Sequence, residues 1–302
     1  MIEFRSFEAL LEAAHAYPPL PIAIVDATEE FVLEGALQAA EAGLISPVLL
    51  GNEQVIRNLV PEFPGAENFP IVHVKGDSTA AKEGVRLVKE GQVSGLMKGH
   101  LHTHEFLHPI LKDLRGEGWV SHVFVAELSS YHKLLYITDA AVTISPGLAE
   151  KTIILQNAID FVKLLGVEVP KVAVLTAIEV INPAIPSTID AACLAKMADR
   201  GQISGALVDG PLAFDNAISA KAAQIKGIRS QVAGDVDILL TPDLVSGNIL
   251  AKDLEYLANA TLAGIVLGAQ VPIVLTSRSD PPRARLVSAA LASLMYHRNI
   301  PG

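Results

Sequence analysis

The chain has 302 residues, half of them hydrophobic and only 5% aromatic, enough apolar material for a sizeable core and for two lobes rather than one. Acidic residues outnumber basic ones 33 to 23, a formal charge of −10 with no Lys/Arg run. That balance excludes nucleic acid and anionic membrane surfaces as partners, so an anionic ligand must be held by a local site.

Met1–Ser6 shows no basic segment followed by an apolar one, and charge or Gly interrupts every long apolar run within about 18 residues. The expectation is a cytoplasmic protein that neither is exported nor spans a membrane. Pro21–Asp26 has the length and composition of a strand, and Glu29–Gly43 follows with helical spacing and a glycine suited to its end. The order repeats in Ser46–Gly51 then Asn52–Leu59, Ile71–Val74 then Ser78–Glu90, and Gly95–Gly99 then Thr103–Leu114. Ser121–Glu127 and Lys133–Asp139 form a pair of strands near a lobe boundary. Lys171–Leu175 leads to a helix that opens at Ser187-Thr188-Ile189-Asp190, a capping-box-like start, and ends near Gly201. Cys193, the single cysteine, lies in the apolar pattern of that helix and is expected to be a buried structural thiol; it excludes a disulfide framework. Gly91–Gly95 and Gly201–Gly205 echo each other as helix-to-strand joints. Such alternation predicts parallel sheets covered by helices on both faces, with a first lobe of residues 1–129 plus 272–302 and a second of 130–271.

In open α/β sheets ligands sit beyond the carboxyl ends of strands, so the residues after each apolar run are the candidates. They are Lys98, Thr138-Asp139, Asp209-Gly210-Pro211, Asp243 with Ser246-Gly247-Asn248, and Ser277-Arg278. Ser246-Gly247-Asn248 opens a helix whose amides could hold phosphate, or is ordinary capping. Arg278 follows a very apolar strand and offers a bidentate fork to phosphate, or a salt bridge between the lobes. Asp209-Gly210-Pro211 suits a turn, and Asp215-Asn216 follows close by. His100, His102, His104 and His108 form a cluster in which His104–His108 spells HExxH, with Thr103 as its N-cap. With no third ligand beside it, the cluster is taken as solvated or at the substrate's edge, and no metal is assigned.

Thr138–Val142, Asn182-Pro183 with Pro186–Thr188, Asp209–Ala217, Asp237–Lys252 and Leu275–Arg278 together resemble the phosphate acetyl/butyryl transferase family in order and spacing, over most of the chain from about residue 90 onward. The resemblance implies two α/β lobes around a cleft, as in isocitrate and isopropylmalate dehydrogenases, and a homodimer. It also implies the reaction: acyl-coenzyme A plus inorganic phosphate gives acyl phosphate plus coenzyme A, by direct attack in a ternary complex. Coenzyme A is then substrate or product, with no permanently bound cofactor. Ser277 and Arg278 fall at the motif that holds phosphate and polarises the reacting centre, and Gly247, Asn248 and Lys252 fall at a second patterned stretch that contacts substrate. Lys98, Ser121, His122, Thr138, Asp139, Asp209, Asp215, Asn216, Asp243 and Ser246 complete the substrate-binding candidates.

The acetyl-specific branch carries an Asp six residues after the Arg, as the base for the coenzyme A thiol; this chain has Ala284 there. Asp280 is the substitute catalytic candidate and His122 another, while a thiol of pKa near 8.5 can also ionise beside a cation. The Thr276–Asp280 segment is more similar to the butyryl branch. Two rivals remain: a nicotinamide-dependent decarboxylating dehydrogenase of the same fold, and a ligand-binding homologue that has lost its chemistry.

Overall fold

The β-branched runs become strands, most of them parallel, and the amphipathic stretches become the helices that cover them. The structure is a computed structural model, and it describes residues 4–116, 118–275 and 280–298. Contacts divide the chain into a unit of residues 7–120 with 263–302 and a unit of 1–6 with 121–262. The sequence pattern puts the divisions after residues 129 and 271.

The first unit runs α1 (Phe7–Ala14), β1 (Leu20–Val25), α2 (Glu30–Glu41), β2 (Ile45–Gly51), α3 (Glu53–Leu59), β3 (Ile71–His73), α4 (Asp77–Lys89), β4 (Gly95–Lys98) and α5 (Thr103–Asp113). Its strands stand in the order β3-β2-β1-β4, all parallel, with Val25 beside Leu50 on one side and Lys98 on the other. Strand order reverses between β1 and β4, which makes their carboxyl ends the switch point of this sheet. Asn52 caps α3 through its side-chain oxygen, which accepts from Gln54 N at 3.1 Å.

The second unit runs β5 (Ser121–Glu127), β6 (Leu135–Thr138), α6 (Leu148–Leu164), β7 (Lys171–Leu175), α7 (Pro186–Asp199), β8 (Leu207–Leu212), α8 (Phe214–Ile218), α9 (Ala220–Ile225), β9 (Ile238–Leu240) and α10 (Leu244–Tyr256). Its strand order is β5-β6-β9-β7-β8, with β5 antiparallel to β6 and the rest parallel. One face buries Ala126, Leu135, Ile137 and Leu239 with Ala251 of α10. On the other, Tyr136 packs edge-on against Phe161 of α6 at 6.5 Å. Fully burying one such side chain contributes about 1.5–3 kcal/mol. The chain returns to the first unit through β10 (Thr261–Leu267), β11 (Ile273–Val274) and α11 (Pro282–His297). There β11 lies parallel to β4, with Val274 beside Met97.

Four local expectations differ from the structure. Asp209-Gly210-Pro211 is not a turn but part of β8; β8 is an edge strand, where proline removes no needed ladder bond. Thr103 is the first residue of α5, and the N-cap is His102. No capping box opens α7, because it starts at Pro186 and Asp190 is drawn instead to Lys151 of α6 at 2.7 Å. Cys193 is half-buried rather than buried. Among the described residues no helix is long and apolar enough to cross a membrane.

Candidate active site

Strands β6 and β9 lie side by side, Thr138 opposite Leu240, and antiparallel β5 brings Val123 opposite Thr138 from the other side. Ser121, His122, Thr138, Asp139, Thr241 and Asp243 therefore share one end of the second sheet. Thr138 Oγ1 donates to the His122 carbonyl at 2.9 Å. Asp139 is buried, and its carboxylate accepts from the amides of Ala141, Val142 and Thr143, each at 3.0 Å. Burial pushes this carboxyl above its ordinary range, and the three amides oppose that shift. With both oxygens engaged, Asp139 shapes the loop of residues 140–143 rather than serving as a base.

The next strand end is tied to the same loop. Thr241 Oγ1 donates to the Asp139 carbonyl at 3.0 Å, and Asp243 caps α10 by accepting from Ser246 N at 2.8 Å and Ser246 Oγ at 3.0 Å. The helix thus starts at Leu244, before the Ser-Gly-Asn cluster, and one of its first amides is already used. Asn248 Nδ2 reaches the Ala140 carbonyl at 3.4 Å. Ser246 and Asn248 are exposed, so their polar atoms border solvent at this strand end.

His122 is fully buried against Phe124, their rings edge to face at 4.5 Å. Neither ring nitrogen has a hydrogen-bond partner among the described residues. Burial alone pushes its pKa down to about 3, so the imidazole is neutral near pH 7. Ser121 Oγ accepts from Asn157 Nδ2 of α6 at 3.1 Å.

In the first unit, Lys98 ends β4 and is 7% exposed. Ser277 and Arg278 lie outside the described residues. The Asp280 carbonyl accepts from Arg285 Nη1 at 3.1 Å, and Arg285 Nη2 meets Glu34 of α2 at 3.2 Å. Ala284 is buried in the first turn of α11.

Other candidates are not gathered with these groups. Asp209 lines a cavity of about 350 Å³ with Asp199, Arg229 and Gln231 beside edge strand β8. Asp215 pairs with Lys226 at 3.0 Å; Lys226 also meets Glu179, which accepts from buried Asn216 at 3.3 Å. Lys252 is held by Glu255 at 2.7 Å. His104 and His108 stand one turn apart on α5, ring centroids 5.8 Å apart; among the described residues no group of three potential metal ligands occurs. Sequence reasoning passed over Thr241, Asn157 and Arg285. Thr241 follows the β9 run directly and could have been found by the strand-end rule, whereas Asn157 and Arg285 sit within helices and give no local signal.

Two α/β units with polar groups gathered beyond the carboxyl ends of parallel strands define a ligand-binding protein of the open-sheet α/β class. A branched-chain phosphotransacylase from Enterococcus faecalis V583 aligns with a TM-score of 0.80 at 31% identity, covering 92% of this chain and 100% of that one. A phosphate acetyltransferase of Rhizobium meliloti is 48% identical over 97% of this chain and 94% of its own length. A phosphate butyryltransferase of Clostridium beijerinckii is 37% identical over 98% and 99%. The sequence profile described as phosphate acetyl/butaryl transferase matches residues 68–293, and the chain belongs to that family.

Proposed function

We propose that the protein transfers a short acyl group reversibly between coenzyme A and inorganic phosphate within a ternary complex. A phosphate oxygen attacks the thioester carbonyl carbon, the C–S bond breaks, and coenzyme A leaves as the thiolate or, protonated, as the thiol. The observation that carries this reading is the cluster of polar groups at the ends of β6 and β9 in a chain of this family. Such chemistry needs reactants held in near-attack geometry and fixed donors for the developing charge, and no covalent enzyme intermediate.

Ser277, Arg278 and Lys98 take the phosphate side in this proposal. Thr138, the loop held by Asp139 and the start of α10 line the substrate. A neutral His122 suits an N–H donor better than a base, since taking a proton from a thiol of pKa near 8.5 would cost it several pK units. That leaves Asp280, or electrostatic ionisation beside a cation, for the thiol. A homodimer is supported by an apolar stripe on α10, where Val245, Ile249 and Tyr256 are 61%, 55% and 64% exposed. A cytoplasmic address accords with coenzyme A as substrate.

The test is thiol release from acetyl-, propionyl- and butyryl-coenzyme A with and without phosphate. Phosphate-dependent release is expected, and no release, or release indifferent to phosphate, would overturn the proposal.

A further inference from the structure

A cavity of about 150 Å³ opens beyond the carboxyl ends of β1, β2 and β3, wholly within the first unit. Asp26 and Thr28 reach it from the end of β1, Val74 and Lys75 from the end of β3, and Asp77 and Ala80 from the start of α4. Asp26 is 9% exposed and takes a left-handed conformation at φ 63°, its carbonyl accepting from His100 N at 2.9 Å. Its carboxylate accepts from Thr28 Oγ1 at 2.8 Å and, among the described residues, pairs with no Lys or Arg. Burial pushes this carboxyl above its ordinary range; Thr28 opposes the shift and Asp77 adds to it. A buried carboxylate with so few partners calls for a donor at its other oxygen.

The space exceeds what one solvent molecule fills, since a water takes roughly 30 Å³ and a void of this size accepts an aromatic ring. Val74 and Ala80, both buried, offer apolar surface to the faces of such a ring. Asp26 and Asp77 would repel a phosphate or carboxylate placed between them, and among the described residues no group of three potential metal ligands occurs. A flat neutral ring bearing an exocyclic amine meets all of these conditions. Lys75 is exposed where the cavity meets solvent. Beside it Gly76 opens α4 without a side-chain cap, which leaves the first amides of that helix for an anion.

We infer that this cavity binds the adenine ring of a nucleotide, with Asp26 accepting from the exocyclic amine while Lys75 and the start of α4 meet a phosphate. Coenzyme A carries such a group, and so do free adenine nucleotides. As a site for coenzyme A, the inference rests on the acyl-transfer reading above.

The experiment titrates the full chain calorimetrically with coenzyme A, its hypoxanthine analogue, AMP and IMP. Hypoxanthine presents a carbonyl oxygen where adenine has the amine, so the parent should bind it about 10-fold or more weakly. Asp26→Asn keeps the shape and an acceptor for Thr28 but donates through its amide, and should reverse the preference toward hypoxanthine. Lys75→Ala, at an exposed position, should weaken whichever of coenzyme A and AMP shows the preference by about 10-fold. It keeps the test alive if melting shows that Asp26→Asn does not fold. Discrimination within the coenzyme A pair assigns the cavity to the substrate, and discrimination within the AMP pair alone assigns it to a free nucleotide. No binding, equal affinities within both pairs, affinity unchanged in Lys75→Ala, or an unmoved preference in folded Asp26→Asn would each overturn the inference. Binding is read without turnover, so that failure is distinct from absence of phosphate-dependent thiol release, which would overturn the functional reading.

Discussion

Gly247 of α10 lies directly on the backbone of Asp139: a Cβ at Gly247 would stand 2.8 Å from the Asp139 carbonyl oxygen and 2.6 Å from Thr241 Oγ1. The glycine is set by this close approach of a helix to the loop after β6, and the Thr241 hydroxyl that bonds the Asp139 carbonyl fills the space beside it.

Gly247→Ala is therefore expected to destabilise. Helix propensity alone would gain about 1 kcal/mol, but overpacking against backbone costs about 1–3 kcal/mol and cannot be relieved by a side-chain rotation. Urea unfolding should give a lower midpoint with an unchanged slope. A higher midpoint would mean the loop yields to the helix.

His122 gives acid sensitivity. Its folded pKa is lowered to about 3 from 6.5, so below 6.5 the unfolded chain binds a proton that the folded chain refuses. The stabilisation is present above pH 6.5 and is lost as pH falls toward 3, with a slope of up to about 1.4 kcal/mol per pH unit. His122→Leu should flatten the stability profile between pH 6 and 4 by about that slope; equal slopes in the two proteins would show that the imidazole titrates freely.

Lys133, with a side chain 11% exposed, bridges Asp237 at 2.7 Å and Asp235 at 3.1 Å below β9. Removing its charge leaves the buried Asp237 carboxylate with an incomplete set of partners. Lys133→Met should cost about 3–5 kcal/mol, and adding Asp237→Asn should restore part of it. A double-mutant cycle by denaturant unfolding measures the coupling; a value near zero would assign the loss to packing.

For the chemistry, Arg278→Ala should lower kcat/KM by about 10²–10³-fold, the usual effect of losing one charge-stabilising donor, with unchanged melting. Turnover like the parent's would remove Arg278 from the site. Asp280→Asn tests the base separately, since it should abolish the acidic limb of the pH–rate profile if that carboxylate takes the thiol proton.

Much of the fold is legible in the sequence because it is local. Strand and helix periodicities in Pro21–Leu114 and Lys171–Gly201 correspond to β1 through α5 and to β7 and α7. Strand-end reasoning also selected Thr138, Asp139 and Asp243, which do meet at one sheet end. It failed where a residue's surroundings are supplied from far along the chain. Asp209 looks like a turn until β8 is known to be an edge strand, and Asp190 looks like part of a capping box until Lys151 is brought to it.

The sequence by itself determined the α/β class, the acidic surface and the family, because periodicity, charge and several motifs in register are properties of the linear chain. Only the tertiary structure decided that both Asp139 oxygens are spent on loop amides, that His122 is buried and neutral, and that Arg285 meets Glu34 of α2. Each of those outcomes depends on non-local pairing: hydrogen-bond satisfaction and desolvation are set by neighbours that no local window of sequence contains.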